Sequence, residues 1–184
     1  PARDAAARDA FVSVGFGLGS AAAVRDVAPV ERTGADGLSL QMAAAEDKDV
    51  VFRLSEELML HHARTPIFNP MPREADAAGH EMQMGLLAMP DDNAHWVAYD
   101  GDTPVGMNTF MPPHFLSPMT IPDKTVYLFQ GIVTQDARFG GVGSAILQRG
   151  VSWARGKGYD YIALHFATAN LEGAKFWQTS GFAP

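Results

Sequence analysis

Cysteine is absent from all 184 residues, which removes disulfides, thiolate metal sites and cysteine nucleophiles in one step. No apolar run reaches the roughly 18 residues that a membrane-spanning helix needs. The opening stretch from Pro1 to Ala10 pairs Arg with Asp and has no apolar signal-peptide core. Basic charge is scarce, with 14 Lys and Arg against 21 Asp and Glu, a net charge of −7. Such a balance repels a polyphosphate backbone and suits basic amines, so neither nucleic acid nor a membrane is expected as a partner. The expected location is cytoplasmic. The chain does not open on Met, which fits a processed chain or a fragment. What remains is 47% hydrophobic, enough for one well-packed domain at this length and too little for two of average size.

Residues 1–37 are rich in Ala and Gly and end in the turn-forming run from Glu31 to Gly37, which reads as a linker and places a domain boundary there. Leu38, Leu40 and Met42 alternate with Ser39, Gln41 and Ala43, the period of a strand. A helix follows, with Glu46, Asp47 and Asp49 at its positive end and Val50, Leu54, Leu58 and His61 near one stripe, and it stops before Pro66. Pro66, Pro70 and Pro72 make the next segment a loop. Glu74 to Leu87 reads as a second helix, and residues 95–99 and 105–110 as a hairpin across Asp100-Gly101-Asp102. Thr125 to Thr134 is a strong strand, Gly141 to Gly156 a helix, Tyr159 to Phe166 a strand parallel to the previous one, and Leu171 to Ser180 a closing helix.

The chemistry is concentrated between the strand ending at Val133 and the helix after it. Strand, glycine-rich turn and helix in succession converge unpaired backbone N–H groups and the helix dipole on one point, an anion site. Gly141 and Gly143 let phosphate oxygens approach the backbone, Arg138 adds charge and Ser144 a hydroxyl. The run has neither the Lys-Ser/Thr ending of a nucleotide P-loop nor the dinucleotide spacing. Taken alone, it reads equally as a tight strand-to-helix turn.

With Arg138, Gly141 and Gly143 spaced as Arg-x-x-Gly-x-Gly after Val133, and Asn170, Phe176, Gly181 and Phe182 downstream, residues 38–184 resemble the GNAT superfamily of N-acetyltransferases. The resemblance implies an α/β GNAT (acyl-CoA N-acyltransferase) fold, a mixed and mostly antiparallel sheet with splayed central parallel strands flanked by helices. It implies acetyl-CoA as cofactor, its pyrophosphate on Arg138, Phe139, Gly140, Gly141, Val142, Gly143 and Ser144. The pantetheine arm is expected on backbone groups around Ile132 and Val133, with Asn170 and Trp177 nearby. An amine, of a small molecule or a peptide, attacks the thioester directly in a ternary complex, which requires a proton acceptor, a polarising N–H and an acid for the thiolate. The family often has Tyr where this chain has Trp177, and an indole N–H does not usefully protonate a thiolate. Trp177 therefore packs against the cofactor arm or the core, and a non-catalytic acyl-CoA-binding or regulatory module is the alternative reading. A homodimer is compatible with either.

Two residues are candidates for the base. His165 lies on the strand facing the cleft, with an ordinary pKa near 6.5, and is either that base or filler on a strand face. Asp136 takes the same role or shapes the loop. His62, Phe68, His114 and Gln130 are candidates for the acceptor side, Gln130 as an orienting group only. No metal site is expected, since adjacent His61 and His62 point about 100 degrees apart on a helix.

Arg8 to Phe16 resembles Ala174 to Phe182 in register, both ending in Gly-Phe. Residues 1–37 thereby read as the tail of a preceding GNAT domain plus linker, and residues 38–184 as a GNAT domain that lacks its last strand. Ala21 to Val30 is then the strand available to cover the exposed sheet edge.

Overall fold

The computed structural model describes residues 4–17, 19–30, 36–64, 66–67, 74–113 and 121–184. Six strands form one sheet: β1 (Ser20–Asp26), β2 (Leu38–Met42), β3 (Ala94–Asp100), β4 (Thr103–Met111), β5 (Thr125–Val133) and β6 (Tyr161–Ala167). Their order is β1-β6-β5-β4-β3-β2, antiparallel throughout except for β5 beside β6. Among the described residues five α-helices accompany them: α1 (Ala5–Ser13), α2 (Lys48–Ala63), α3 (Glu74–Leu87), α4 (Val142–Gly156) and α5 (Leu171–Thr179). This is the mixed sheet flanked by helices that the sequence led us to expect.

Alternation along the strands divides the core in two. Val126, Leu128, Ile162, Leu164 and Phe110 pack with Val142, Ile146, Leu147 and Val151 of α4, and Phe176 and Trp177 of α5 lean on the same cluster. On the other face Met107 and Ile132 meet Val51, Leu54 and Leu58 of α2, while Met111, Tyr127 and Ala163 meet Leu86 of α3. The buried stripe of α2 is Val51, Leu54, Ser55 and Leu58, one position round from the stripe starting at Val50. Burial on the α4 side comes from glycines as much as from large residues. A Cβ on Gly150 would stand 2.3 Å from the Phe110 ring, and one on Gly106 would stand 2.9 Å from Ile146 Cδ1.

β1 covers the outer edge of β6 along its whole length, from Ser20 opposite Ala167 to Asp26 opposite Tyr161. Arg25, 7% exposed, ties it down: its guanidinium donates to the carbonyls of Asp26, Ala28 and Ser180, the last at the end of α5. An edge that would otherwise offer unpaired N–H and C=O groups is thereby closed.

Candidate active site

Beyond Val133 the chain turns into α4. Thr134 N–H is held by Val105 O at 2.9 Å, Gln135–Ala137 form a short 3-10 turn, and Ala137 N–H returns to Thr134 O at 3.0 Å. Phe139 then takes φ +65° and Gly141 φ +87°. A left-handed phenylalanine is strained, and this one gains no packing in return, being 91% exposed. Among the described residues the next amide with a backbone partner is that of Ala145, which donates to Gly141 O at 3.0 Å. The amides from Gly140 to Ser144 are left at the positive end of a 15-residue helix, an arrangement that accepts an anion. Gly143 is required for a further reason: a Cβ there would lie 3.1 Å from the Phe176 ring and 3.6 Å from Val133 Cγ2, so glycine lets α5 close over the turn.

Arg138 does not point freely out of this turn. Its Nε donates to Val133 O at 3.2 Å, NH1 pairs with Glu172 at 3.2 Å, and NH2 stands 3.5 Å from His61 Nδ1. The Asn170 side chain, as an acceptor, favours the charged form of His61. Asn170 Oδ1 in turn caps α5 by accepting from Gly173 N–H at 3.0 Å. One guanidinium thus joins the end of α2, the turn and the start of α5. Beside it opens a pocket of about 210 Å³ lined by Glu57, Leu60, His61, Arg64, Gln135 and Arg138. Burial, and then Arg138, push the His61 imidazole below its usual pKa, and burial and His61 do the same to His62. A larger pocket of about 270 Å³, lined by Met42, Trp96, Arg149, Ser152 and Trp153, contains no residue of the turn or the cleft.

The cleft itself is a splay. β5 and β6 pair only from Thr125 opposite Tyr161 to Tyr127 opposite Ala163. On its other side β5 carries an extra residue at Phe129, because Thr109 faces Gln130 while Phe110 faces Leu128. A bulge bends the strand that bears it. The edge of β5 from Leu128 to Val133 is left without strand pairing on the β6 side. Trp177 crosses it on the α5 face, its ring so close to Gly131 that a Cβ there would be 2.9 Å away. Asn108 lies on the same spot, 4% exposed, and its buried Nδ2 has no partner among the described residues.

The opposite face holds the polar chemistry. Tyr127 OH and His165 Nδ1 are 3.2 Å apart, a hydrogen bond that bridges β5 to β6 where the strands part. Burial pushes the Tyr127 phenol up and the His165 imidazole down, so both are held neutral. Phe129 continues this wall, its ring centroid 6.3 Å from that of Tyr127. Because of the bulge Gln130 faces the same way, and its Oε1 accepts from Ser55 Oγ at 3.0 Å and from Gln83 Nε2 at 2.7 Å. Gln83 Oε1 accepts from His95 Nε2 at 2.8 Å, which fixes the tautomer of that ring. Burial lowers the His95 pKa to about 4.

The structure brings Ile132, Val133, Arg138 to Ser144, Asn170 and Trp177 around the mouth of the splay. It puts His165, exposed on β6 two residues beyond the last pair, within reach of Tyr127. Asp136, exposed in the 3-10 turn, is at the other end: Tyr127 to Val133 alone is six steps of strand, about 20 Å at the usual rise. His62 ends α2 near the mouth, while Gln130 is locked among Ser55 and Gln83. Phe68 and His114 lie outside the described residues. Among the described residues no group of three or more His, Cys, Asp or Glu is placed to hold a metal ion, and no helix is long and apolar enough to cross a membrane. Sequence reasoning missed Tyr127, Asn108, Glu172 and the Ser55–Gln83–His95 chain. Only the last had a trace, three polar residues at positions where the periodic pattern calls for apolar ones.

A family model described as the acetyltransferase (GNAT) family matches residues 58–182. No curated protein sequence matches. Among solved structures, the PaiA N-acetyltransferase from Thermoplasma acidophilum, in complex with coenzyme A, superposes with a TM-score of 0.63 at 14% identity, covering 79% of this chain and 89% of that one. A GCN5-related N-acetyltransferase from Sphaerobacter thermophilus gives 0.68 at 14% identity, over 99% of this chain and 54% of its own. A functionally unknown conserved protein from Staphylococcus epidermidis gives 0.60 at 16% identity, over 98% of this chain. The present chain spans 63% of that protein's length.

Proposed function

The chain belongs to the GNAT acetyltransferase family, and on that premise we propose that it transfers an acetyl group from acetyl-CoA to a primary amine, by direct attack in a ternary complex. The observation that carries this reading is the splay of β5 from β6, with free helix-end amides at its mouth and a hydrogen-bonded Tyr–His pair at its root. A bound acetyl-CoA supplies the activated thioester. The residues fit such a molecule: Gly140 to Ser144 would hold its pyrophosphate, the open edge of β5 around Ile132 and Val133 its extended arm, and the unmet Asn108 Nδ2 an amide carbonyl. A solved relative binds coenzyme A, which supports the same fit.

His165 is the base in this reading. With Nδ1–H donating to the Tyr127 oxygen, Nε2 keeps its lone pair and takes the proton of the incoming amine. The resulting imidazolium keeps its Nδ1–H bond to Tyr127, whose raised pKa keeps it a phenol. Trp177 donates no useful proton to a leaving sulfur, so solvent has to. Asp136 is too far along β5 to share the task, and serves the turn. His62 and Gln130 border the acceptor side, the second by holding the α2–α3 face rather than by touching the amine. A small-molecule or peptide amine in the cytoplasm, and a homodimer, complete the proposal.

Trp177 favours a second reading, a non-catalytic acyl-CoA-binding module, because it fills the place of an acid with a ring that cannot act as one. Calorimetry with coenzyme A, followed by thiol release from acetyl-CoA over a panel of amines, separates the two. We expect micromolar binding, lost about 100-fold in Gly140→Glu, where a Cβ has ordinary contacts and the carboxylate faces the anion. Binding without thiol release for any amine leaves the module; no binding by the folded chain defeats both readings.

A further inference from the structure

Two helices of this chain end alike and are treated differently. α1 and α5 are each nine residues long and each is capped by a side-chain oxygen three residues ahead of the amide it accepts. Asp4 Oδ1 takes Ala7 N–H at 3.0 Å, and Asn170 Oδ1 takes Gly173 N–H at 3.0 Å. Each closes on a left-handed glycine, Gly15 at φ +94° and Gly181 at φ +90°. The following amide returns three carbonyls into the helix, Phe16 N–H to Phe11 O and Phe182 N–H to Trp177 O, both at 3.1 Å. Such a glycine ending is common and often carries an apolar contact. Here the contact is aromatic in both, edge-on at 81°, with centroids 5.6 Å apart for Phe11–Phe16 and 5.5 Å for Trp177–Phe182.

Their surroundings differ. Phe182 is 3% exposed and Trp177 lies on Gly131 in the splay. Phe11 is 61% and Phe16 63% exposed, Val12 and Val14 beside them are 50% and 71%, and no residue of α1 is buried. The strand after α1 is nonetheless fixed in this sheet, by the β6 ladder and by the Arg25 clamp. The chain after α5 joins this same sheet, Ala183 pairing with Val24 on the free edge of β1. α5 and its continuation thus both pack here, whereas of α1 and its continuation only the strand does. The two long solved structures cover nearly all of this chain, α1 and β1 included.

We propose that α1 is the closing helix of a second GNAT-type sheet, and that Phe11 seats in the splay between that sheet's two parallel strands as Trp177 does here, with Phe16 buried beside it as Phe182 is. β1 is then a strand passed from that domain to this one. A second copy of this chain is not the occupant, because the face of its splay that α1 would cover already carries its own Trp177.

The test exchanges the two segments. A chain in which Leu171–Phe182 carries the sequence of Ala5–Phe16, with Gly173 and Phe176 retained because they meet the Asn170 cap and Gly143, keeps helix length and glycine turn and sets a Phe where Trp177 stands. It is expected to melt cooperatively, whereas the same exchange carrying Phe11→Ser and Phe16→Ser loses the cooperative transition. Should the smaller ring alone prevent folding, Phe11→Trp within the exchanged segment is expected to restore it. In the intact chain, Phe11→Ser with Phe16→Ser is expected to leave the thermal midpoint within about 1 °C, since neither ring serves this core. Failure of the exchange even with Trp, equal folding of the Phe and Ser exchanges, or a lowered midpoint in the intact double variant each overturns the proposal.

Discussion

The two faces of the sheet are built on different contacts. On the α4–α5 side, Gly106, Gly131, Gly143 and Gly150 let ring and aliphatic side chains touch bare backbone, and no described side chain there titrates near neutrality. On the α2–α3 side, helices also meet the strands through hydrogen bonds, His95 to Gln83 and Gln83 and Ser55 to Gln130, while Tyr127 and His165 bridge β5 to β6. The first kind of contact excludes a cavity and is indifferent to pH. The second keeps neutral, proton-bearing groups at low dielectric, where a change of protonation is expensive. In the function proposed above the two would serve as a stiff wall for a long cofactor and a polar wall where an amine would lose its proton.

Acid sharpens that contrast most. His95 is 2% exposed with a folded pKa of about 4, against about 6.5 when unfolded. Between those values the unfolded chain binds more protons, so the stability conferred by the neutral ring is complete above about pH 6.5 and falls as pH drops toward 4. The loss is about 3 kcal/mol. The lowered pKa values of His61, His62 and His165 act in the same sense. Urea titrations at several pH values measure the slope, and His95→Gln, which keeps a donor to Gln83 without a titrating ring, should flatten most of it. An unchanged slope would show that His95 is not the group responsible.

The glycine face should break by overpacking. In Gly150→Ala the new methyl would enter the Phe110 ring at 2.3 Å, and neither the backbone of α4 nor a fully buried ring moves cheaply. We expect a loss of about 2 kcal/mol, seen in the urea midpoint and independent of pH between 5 and 8. A neutral outcome would mean that α4 is freer to shift than its packing indicates. Smaller and confined to catalysis is Tyr127→Phe. Removing the oxygen that receives His165 Nδ1–H should lower kcat/KM about tenfold and move its acidic limb to lower pH, with coenzyme A affinity unchanged. A uniform loss with no displacement of the limb would leave Tyr127 a packing residue.

Most elements were legible because each is strongly patterned. Glu74–Leu87 is read with its observed bounds, since Pro66, Pro70 and Pro72 stop any helix before it and a run of good helix formers follows, Gly79 and Gly85 notwithstanding. The turn was legible because Arg138, Gly141 and Gly143 sit in sequence beside the strand they serve. What was illegible is made by strands and helices that meet from distant parts of the chain. Tyr127 looks like an ordinary aromatic on a strand until β6 brings His165 to it from 38 residues away. Gln130 is legible as a polar residue on a strong strand and an orienting candidate, but alternation puts it on the face of Val126 and Leu128, and only the bulge at Phe129 turns it to Ser55 and Gln83. Arg138 was placed on the right turn, but its carboxylate partner comes from α5, in a loop-proximal position that spacing does not single out.

That last partnership offers the mildest test. Arg138 is 22% and Glu172 60% exposed at 3.2 Å, so the pair itself contributes at most a few tenths of a kcal/mol to about 1 kcal/mol after solvent screening. Its effect on an anion is of another kind, because the carboxylate competes for the same guanidinium and adds negative charge at the mouth of the site. Glu172→Gln preserves the size of the side chain and the Asn170 cap while removing that charge. It should leave the thermal midpoint nearly unchanged and tighten coenzyme A binding about threefold at low salt, with the gain shrinking as ionic strength rises. Weaker binding in the variant would mean instead that Glu172 holds Arg138 in the orientation the pyrophosphate needs, and the ion pair would then be part of the site rather than its competitor.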